Sequence, residues 1–458
     1  MSDSPETSAP PATTPATNQA DRADQSDWRS LDKDLTRLNQ VERVTGFVVR
    51  PLFGVGLALA FMLLAGLVAA LVLGTAPTTV MAAAAAIFGA YLAINIGAND
   101  VANNMGPAVG AKALPMAAAL IAAALAETAG ALLGGSEVVA TVSQRLIHPA
   151  AISAPDVLIK AMMAAMAASA LWVNLATWIG APVSTTQSII GAIIGASIAA
   201  VGFGAVDWIT FSSIAASWML SPLIGAGLAM ALLALIQRLI SSQPDKMAAA
   251  CRWVPVFLGG MGGAFGMFFT LKLPDTLYAP PPGVALAVGG LAGLMSFAIA
   301  RPVIRRRGDE LENQKGAIKA LFRLPLVIAA ILMSFAHGAN DIANAIGPLA
   351  TIVQALGQTD SAGLRPFAPL HVPFWVLSIG ALGMAMGVLL FGPRLISMVG
   401  TQITKLNPMR AYCVSTSAAL TVIVASWLGL PVSSTHVAVG AVFGVGFYRE
   451  HMAAQARR

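Results

Sequence analysis

A carboxylate flanked by carboxamides is set into apolar sequence twice in this chain. Gly97-Ala98-Asn99-Asp100-Val101-Ala102-Asn103-Asn104-Met105-Gly106-Pro107 returns about 240 residues later as Gly338-Ala339-Asn340-Asp341-Ile342-Ala343-Asn344-Ala345-Ile346-Gly347-Pro348, with eight of the eleven positions identical. Between Pro51 and Lys112 the only charged side chain is Asp100. An ionisable group in such surroundings is expensive unless it is paired or binds something. Here the carboxylate and amide oxygens are hard ligands for a small cation such as Na⁺, and the amide N–H groups are donors for an anion. Gly97 and Gly338 are expected to loosen their helices, and Gly106-Pro107 and Gly347-Pro348 to end them. Backbone carbonyls freed there add to the cation ligands.

A second pair of motifs carries hydroxyls. Trp178-Ile179-Gly180-Ala181-Pro182-Val183-Ser184-Thr185-Thr186-Gln187 is matched by Trp427-Leu428-Gly429-Leu430-Pro431-Val432-Ser433-Ser434-Thr435-His436, six of ten positions being identical. Gly and Pro break the incoming helix, and the hydroxyl triplet falls where the next begins. One Ser or Thr there caps free N–H groups; three in each copy exceed that need, and a positive helix end ringed by hydroxyls suits an anion. Irregular backbone inside a membrane is tolerated mainly where it lines a cavity or is buried in protein. Ser184, Thr185, Thr186, Ser433, Ser434 and Thr435 are therefore candidate anion ligands, with Asn99, Asn103, Asn340 and Asn344. Asp100 and Asp341 repel an anion until a proton or cation neutralises them. Cation and anion binding should then favour each other reciprocally.

Glu127, in the apolar run Ala122–Leu133, is a third intramembrane acid with no obvious equivalent in the second half, and is a candidate for cation or proton coupling or for a helix-to-helix hydrogen bond. His337 borders the second Asn-Asp motif and could tune it or be a satisfied core histidine. His436 aligns with Gln187, and either could bond a neighbouring helix.

These residues need helices to hold them. Hydrophobic residues make up 57% of the 458 and charged ones 10%, where soluble domains carry about 25% charge. Spans are expected at roughly 53–74, 80–98, 113–134, 157–178, 188–205, 219–239, 253–272, 284–304, 320–338, 372–391, 409–428 and 435–448, the fifth and last short. The stretch 205–218 is expected to lie along the membrane. Laid against these spans, 23 of the 27 Lys and Arg fall on one side, which makes that side cytoplasmic, with both termini inside. The second and ninth spans then deliver their Asn-Asp motifs from opposite directions, as an inverted repeat requires. The chain divides into a polar, largely disordered tail (1–50, with a candidate surface helix from Trp28 to Val49), a first repeat (51–240), linking spans with a basic loop (241–318), a second repeat (319–448) and a short tail (449–458). No early run with a cleavage site suggests a signal peptide.

Several classes are disfavoured. Cys251 and Cys413 suggest neither a bridge nor a metal site. The basic residues sit between apolar runs and form no nucleic-acid surface. Metal-spaced histidines, a nucleophile with its base, and a nucleotide-binding glycine loop are all missing, against an enzyme or a primary pump.

The two copies of Gly-Ala-Asn-Asp-x-Ala-Asn and the two of Pro-x-Ser-[Ser/Thr]-Thr resemble the PiT family of inorganic phosphate transporters, a family that also includes sulfate permeases. The likeness covers most of residues 53–448. It implies an all-α polytopic membrane protein of about 12 transmembrane spans, an inverted-topology repeat with broken helices and two re-entrant hydroxyl-tipped loops. It further implies symport of inorganic phosphate with Na⁺ or H⁺ by alternating access in a plasma membrane (the inner membrane in a bacterium), frequently as a homodimer. A sulfate permease of the same build is the alternative. By that likeness Asn99, Asp100, Asn103, Asn340, Asp341 and Asn344 form the central polar site, and Ser184, Thr185, Thr186, Ser433, Ser434 and Thr435 the two tips. Gln187, where many members have histidine, and Ala345 opposite Asn104 are departures that make the halves inequivalent.

Overall fold

Ala- and Leu-rich runs become helices almost without interruption. The computed structural model describes residues 52–74, 78–134, 138–139, 141–147, 155–272, 280–311, 315–357, 372–400 and 406–457; the readings for residues 1–50 lie outside them. In chain order the helices are α1 (Leu52–Leu73), α2 (Thr79–Gly110), α3 (Met116–Gly134), α4 (Pro155–Ile179), α5 (Thr185–Val201), α6 (Trp208–Ile236), α7 (Lys246–Leu271), α8 (Pro282–Asp309), α9 (Lys315–Leu321), α10 (Arg323–Gly357), α11 (Phe374–Met398), α12 (Pro408–Trp427) and α13 (Ser434–Arg457). Among the described residues ten helices are long and apolar enough to cross a membrane. The other two expected spans correspond to α5 and α13, the helices that follow the hydroxyl tips. Residues from Ala58 onward form one compact unit.

Local chemistry sets the helix ends. Asp207 caps α6 by accepting from Ile209 and Thr210 N–H at 3.0 Å, and Asn407 caps α12 through Arg410 N–H at 2.9 Å. At the other end, Gly180 (φ 86°) and Gly429 (φ 67°) take the left-handed conformation that closes α4 and α12. Pro182 and Pro431 then prevent resumption, so the breaks before the hydroxyl triplets are present as expected.

Two expectations change. The stretch 205–218 is not a separate surface element, because a single helix runs from Trp208 to Ile236. The helices also do not break at the Asn-Asp motifs: α2 continues through Gly97 and Pro107 to Gly110, and α10 through Gly338 and Pro348 to Gly357. The glycines serve close packing instead. A Cβ at Gly97 would run into the Met384 backbone of α11, and one at Gly338 into the Glu127 backbone of α3. Gly387 meets α2 at Ile94, and Gly130 meets α10 at Phe335, in return. Each motif helix thus packs on the helix following the other motif.

The prolines still free backbone carbonyls, one turn N-terminal to themselves. Without an N–H, Pro107 leaves the Asn103 carbonyl short of its helical donor, and Pro348 does the same for Asn344. Both carbonyls belong to the polar motifs.

Candidate functional site

The four motifs converge. Asp100 and Asp341 are fully buried, and Asn99, Asn103, Asn340, Asn344 and all six tip hydroxyl residues are buried with them. Their hydrogen bonds come in pairs related by exchanging the halves. Thr185 Oγ1 donates to Asp100 Oδ2 at 2.6 Å, and Ser434 Oγ to Asp341 Oδ2 at 3.2 Å. Across the halves, Thr435 Oγ1 lies 3.2 Å from Asp100 Oδ1, and Thr186 Oγ1 lies 3.4 Å from Asp341 Oδ1. Each carboxylate therefore meets a hydroxyl from both tips.

The amides complete the pattern. Asn103 Nδ2 donates to Thr435 Oγ1 at 2.8 Å and to Asp100 Oδ1 at 3.2 Å. Its counterpart Asn344 Nδ2 donates to Thr186 Oγ1 and Asp341 Oδ1, both at 2.9 Å. Asn99 and Asn340 hold the backbones of the tips through the carbonyls of Ala181 (3.2 Å) and Leu430 (3.3 Å). Asn99 also accepts from Val183 N–H at 3.1 Å. Ser184 and Ser433 act more locally, since each Oγ accepts an N–H three residues on, from Gln187 and His436, at 3.2 Å. These two are helix caps.

One group of residues breaks the pairing. His337 Nε2 lies 2.9 Å from Asp341 Oδ2 and 3.4 Å from Asp100 Oδ2, while its Nδ1 lies 3.3 Å from Glu127 Oε1. Asn104 Nδ2 donates to the same Glu127 oxygen at 2.8 Å. The motif alignment and the glycine contacts give the mirror positions: Ile96 for His337, Ala345 for Asn104 and Met384 for Glu127. Three polar groups on one side face three apolar ones on the other. Among the described residues no Lys or Arg reaches either aspartate, so neither is neutralised by an internal ammonium or guanidinium.

Several acceptor oxygens are left over. Asn104 Oδ1, Asn340 Oδ1, Asn344 Oδ1 and Glu127 Oε2 are buried without a protein donor. Orphaned acceptors at this density are costly unless something else satisfies them. One oxygen each of Asp100 and Asp341 and a ring nitrogen of His337 all lie within 4.8 Å of one another.

Sequence reasoning missed the outer supports. Asn95 Oδ1 accepts from Asn174 Nδ2 at 3.0 Å, and Asn99 Nδ2 reaches Thr177 Oγ1 at 3.0 Å. The signal was available: Asn95, Asn99 and Asn103 recur every fourth residue, one face of a helix. Lys272 stands at the end of the expected span 253–272. In the structure it is buried and donates to Ser426 O at 2.8 Å, at the end of α12 just before the second tip.

Ten apolar helices around a doubled, buried polar centre define a polytopic membrane protein of the transporter class. Residues 96–458 match the model of the phosphate transporter family, to which the chain belongs. It is 44% identical over 426 residues to the "Putative phosphate permease" of Helicobacter pylori strain J99, covering 93% of this chain and 79% of that one. The chloroplastic "Inorganic phosphate transporter 2-1" of Arabidopsis thaliana is 35% identical, over 81% of this chain and 67% of that one. Among solved structures, one titled "The sodium-dependent phosphate transporter" superposes with a TM-score of 0.75 at 34% identity, covering 81% of this chain and 90% of that one.

Proposed function

We propose that this protein is a secondary symporter that carries inorganic phosphate together with Na⁺ or H⁺ by alternating access across a plasma membrane. One observation carries the coupling: both buried carboxylates are held by hydroxyls of the two opposed tips. A hydroxyl has a single proton to donate. While Thr185 donates to Asp100 it cannot donate to a phosphate oxygen. A cation or proton arriving at Asp100 takes the place of that donor and releases it for the anion. The same exchange at Asp341 releases Ser434. Cation binding then favours phosphate binding through rearranged hydrogen bonds as well as through charge, and the effect is reciprocal.

The orphaned oxygens of Asn340 and Asn344, with the carboxylates, are suitable ligands for a small hard cation. Glu127, tied through His337 to both aspartates, is the third coupling acid in this reading. The paired bonds support a pseudo-twofold relation between the halves with its axis in the membrane plane, and the charge bias supports cytoplasmic termini.

Purified protein in lipid vesicles, with imposed Na⁺ or H⁺ gradients, tests the reading. Phosphate should accumulate only when one of these gradients is present. Sulfate in excess should barely compete, because phosphate can donate its own hydroxyl to an ionised Asp100 or Asp341 and sulfate cannot. Equal inhibition by the two anions would favour the sulfate permease.

A further inference from the structure

A second concentration of charge lies away from the central site. A cavity of about 720 Å³ opens beside the C-terminal end of α2, and Lys112, Lys246, Lys319 and Arg410 line it with no acidic side chain among the described residues. These cations come from four separate segments: the α2–α3 turn, the start of α7, the short α9 and the start of α12. The acid nearest in sequence, Asp245, accepts from Ala248 N–H at 2.9 Å as the cap of α7.

Helix stability alone would not choose these residues. Lys112 stands at φ 56°, the only non-glycine residue with positive φ among those described. It closes α2 in a turn where glycine is the ordinary choice, at some cost in backbone strain. Lys246 is the first residue of α7, and Arg410 lies in the first turn of α12. Cations at positive helix ends work against the helix dipole, where anionic groups are favoured. Four like charges around one cavity add mutual repulsion. Each cost is offset if an anion occupies the cavity.

We propose that this basin is a second phosphate-binding site, through which inorganic phosphate leaves the central site toward the face that carries the cations. The inference rests on the transport reading above. Gly110, at the edge of the basin, lies about 15 Å along α2 from Asp100 at 1.5 Å per residue, so the helix that holds the central carboxylate also reaches the basin. A field from four cations raises the local anion concentration without having to bind it tightly, and tight binding here would slow release.

The test compares wild type with the double variant Lys112→Gly and Lys319→Gln in membrane vesicles of both orientations, with radiolabelled inorganic phosphate as the probe. Glycine at position 112 relieves the strained backbone, so loss of folding is not the expected consequence. Half-saturation for phosphate presented to the basin face should rise about threefold or more at low salt, and half-saturation from the opposite face should stay the same. Salt of roughly 0.5 M should bring wild type toward the variant by screening. Unchanged half-saturation on the basin face would overturn the proposal. Competition by glycerol 3-phosphate at that face, abolished in the variant, would overturn it too, by assigning the basin to phosphate esters; absence of competition supports free phosphate. If wild type moves no phosphate at all, the transport reading fails separately. Equilibrium binding of radiolabelled phosphate to the purified full chain, reduced in the double variant, then still decides whether the basin binds it.

Discussion

Replacing Thr185 by Val tests the hydroxyl exchange most directly. Valine keeps the β-branched shape and removes only the donor, and the cap of α5 survives because Ser184, not Thr185, accepts from Gln187 N–H. In the state described, Thr185 Oγ1 donates to a fully buried carboxylate at 2.6 Å. A hydrogen bond to a charged group is worth about 1.5–3 kcal/mol. The variant loses that bond when the site is empty of cation, and loses little once a cation holds Asp100. Cation affinity should therefore rise, by at most about 10- to 150-fold at 1.4 kcal/mol per decade. For phosphate the sign is reversed. With cation bound, the wild-type hydroxyl is free to donate to the anion and the valine has nothing to give, so phosphate affinity should fall by a comparable factor. The two shifts have opposite signs, and their product should stay near the wild-type value. Binding isotherms supply both numbers: cation titrated without phosphate, and phosphate titrated at saturating cation. If both affinities fall together, or phosphate affinity is unchanged, the hydroxyl does not alternate between partners and the coupling mechanism is wrong.

Other consequences are simpler to state. Gly97→Ala and Gly338→Ala push a methyl into the backbones of Met384 and Glu127 and should lower stability by about 1–3 kcal/mol or more, read as a drop in Tm, whereas Gly191→Ala, with nothing within 4 Å, should not. Glu127→Gln keeps an acceptor for Asn104 and removes only the charge; coupled uptake should be lost while Tm moves little, and wild-type uptake would exclude a coupling role. A cysteine replacing the exposed Gly283, at the start of α8, should react with a membrane-impermeant thiol reagent from outside intact cells. Reaction only from the cytoplasmic side would invert the proposed topology.

The buried polar cluster was legible because it is built of residue types that apolar helices otherwise avoid. Asp100, Asp341 and the hydroxyl triplets are legible for that reason, and so are the helix breaks, since Gly180-Ala181-Pro182 and Gly429-Leu430-Pro431 admit few backbone alternatives. The role of Gly97 and Gly338 was not legible. A glycine in a helix serves equally well to loosen it or to admit a neighbour, and only the backbones of Met384 and Glu127 decide for the neighbour. The cross-pairing of tips was hidden for a related reason. Thr435 and Asp100 are 335 residues apart, and no local periodicity relates them. The burial of Lys272 was not legible either: a cation at a helix end is ordinarily solvated, and here it lies against Ser426 O.

The inequivalence of the halves has a physical consequence for coupling. A centre with full twofold symmetry would offer a cation equal ligands at Asp100 and Asp341. Here the group Asn104, Glu127 and His337 lies on one side, and its mirror positions hold Ala345, Met384 and Ile96. His337 approaches Asp341 more closely than Asp100, 2.9 Å against 3.4 Å. Each carboxylate presents its Oδ2 to His337 and to one tip hydroxyl, Ser434 at Asp341 and Thr185 at Asp100, and the histidine is nearer to Asp341. Asp100 has the shorter hydroxyl bond, from Thr185, but the more distant histidine. The two carboxylates are thus equivalent in their tip hydroxyls and unequal in their remaining neighbours. In the proposed symport the first cation should select one of them, so a near-symmetric frame does not make the two carboxylates interchangeable.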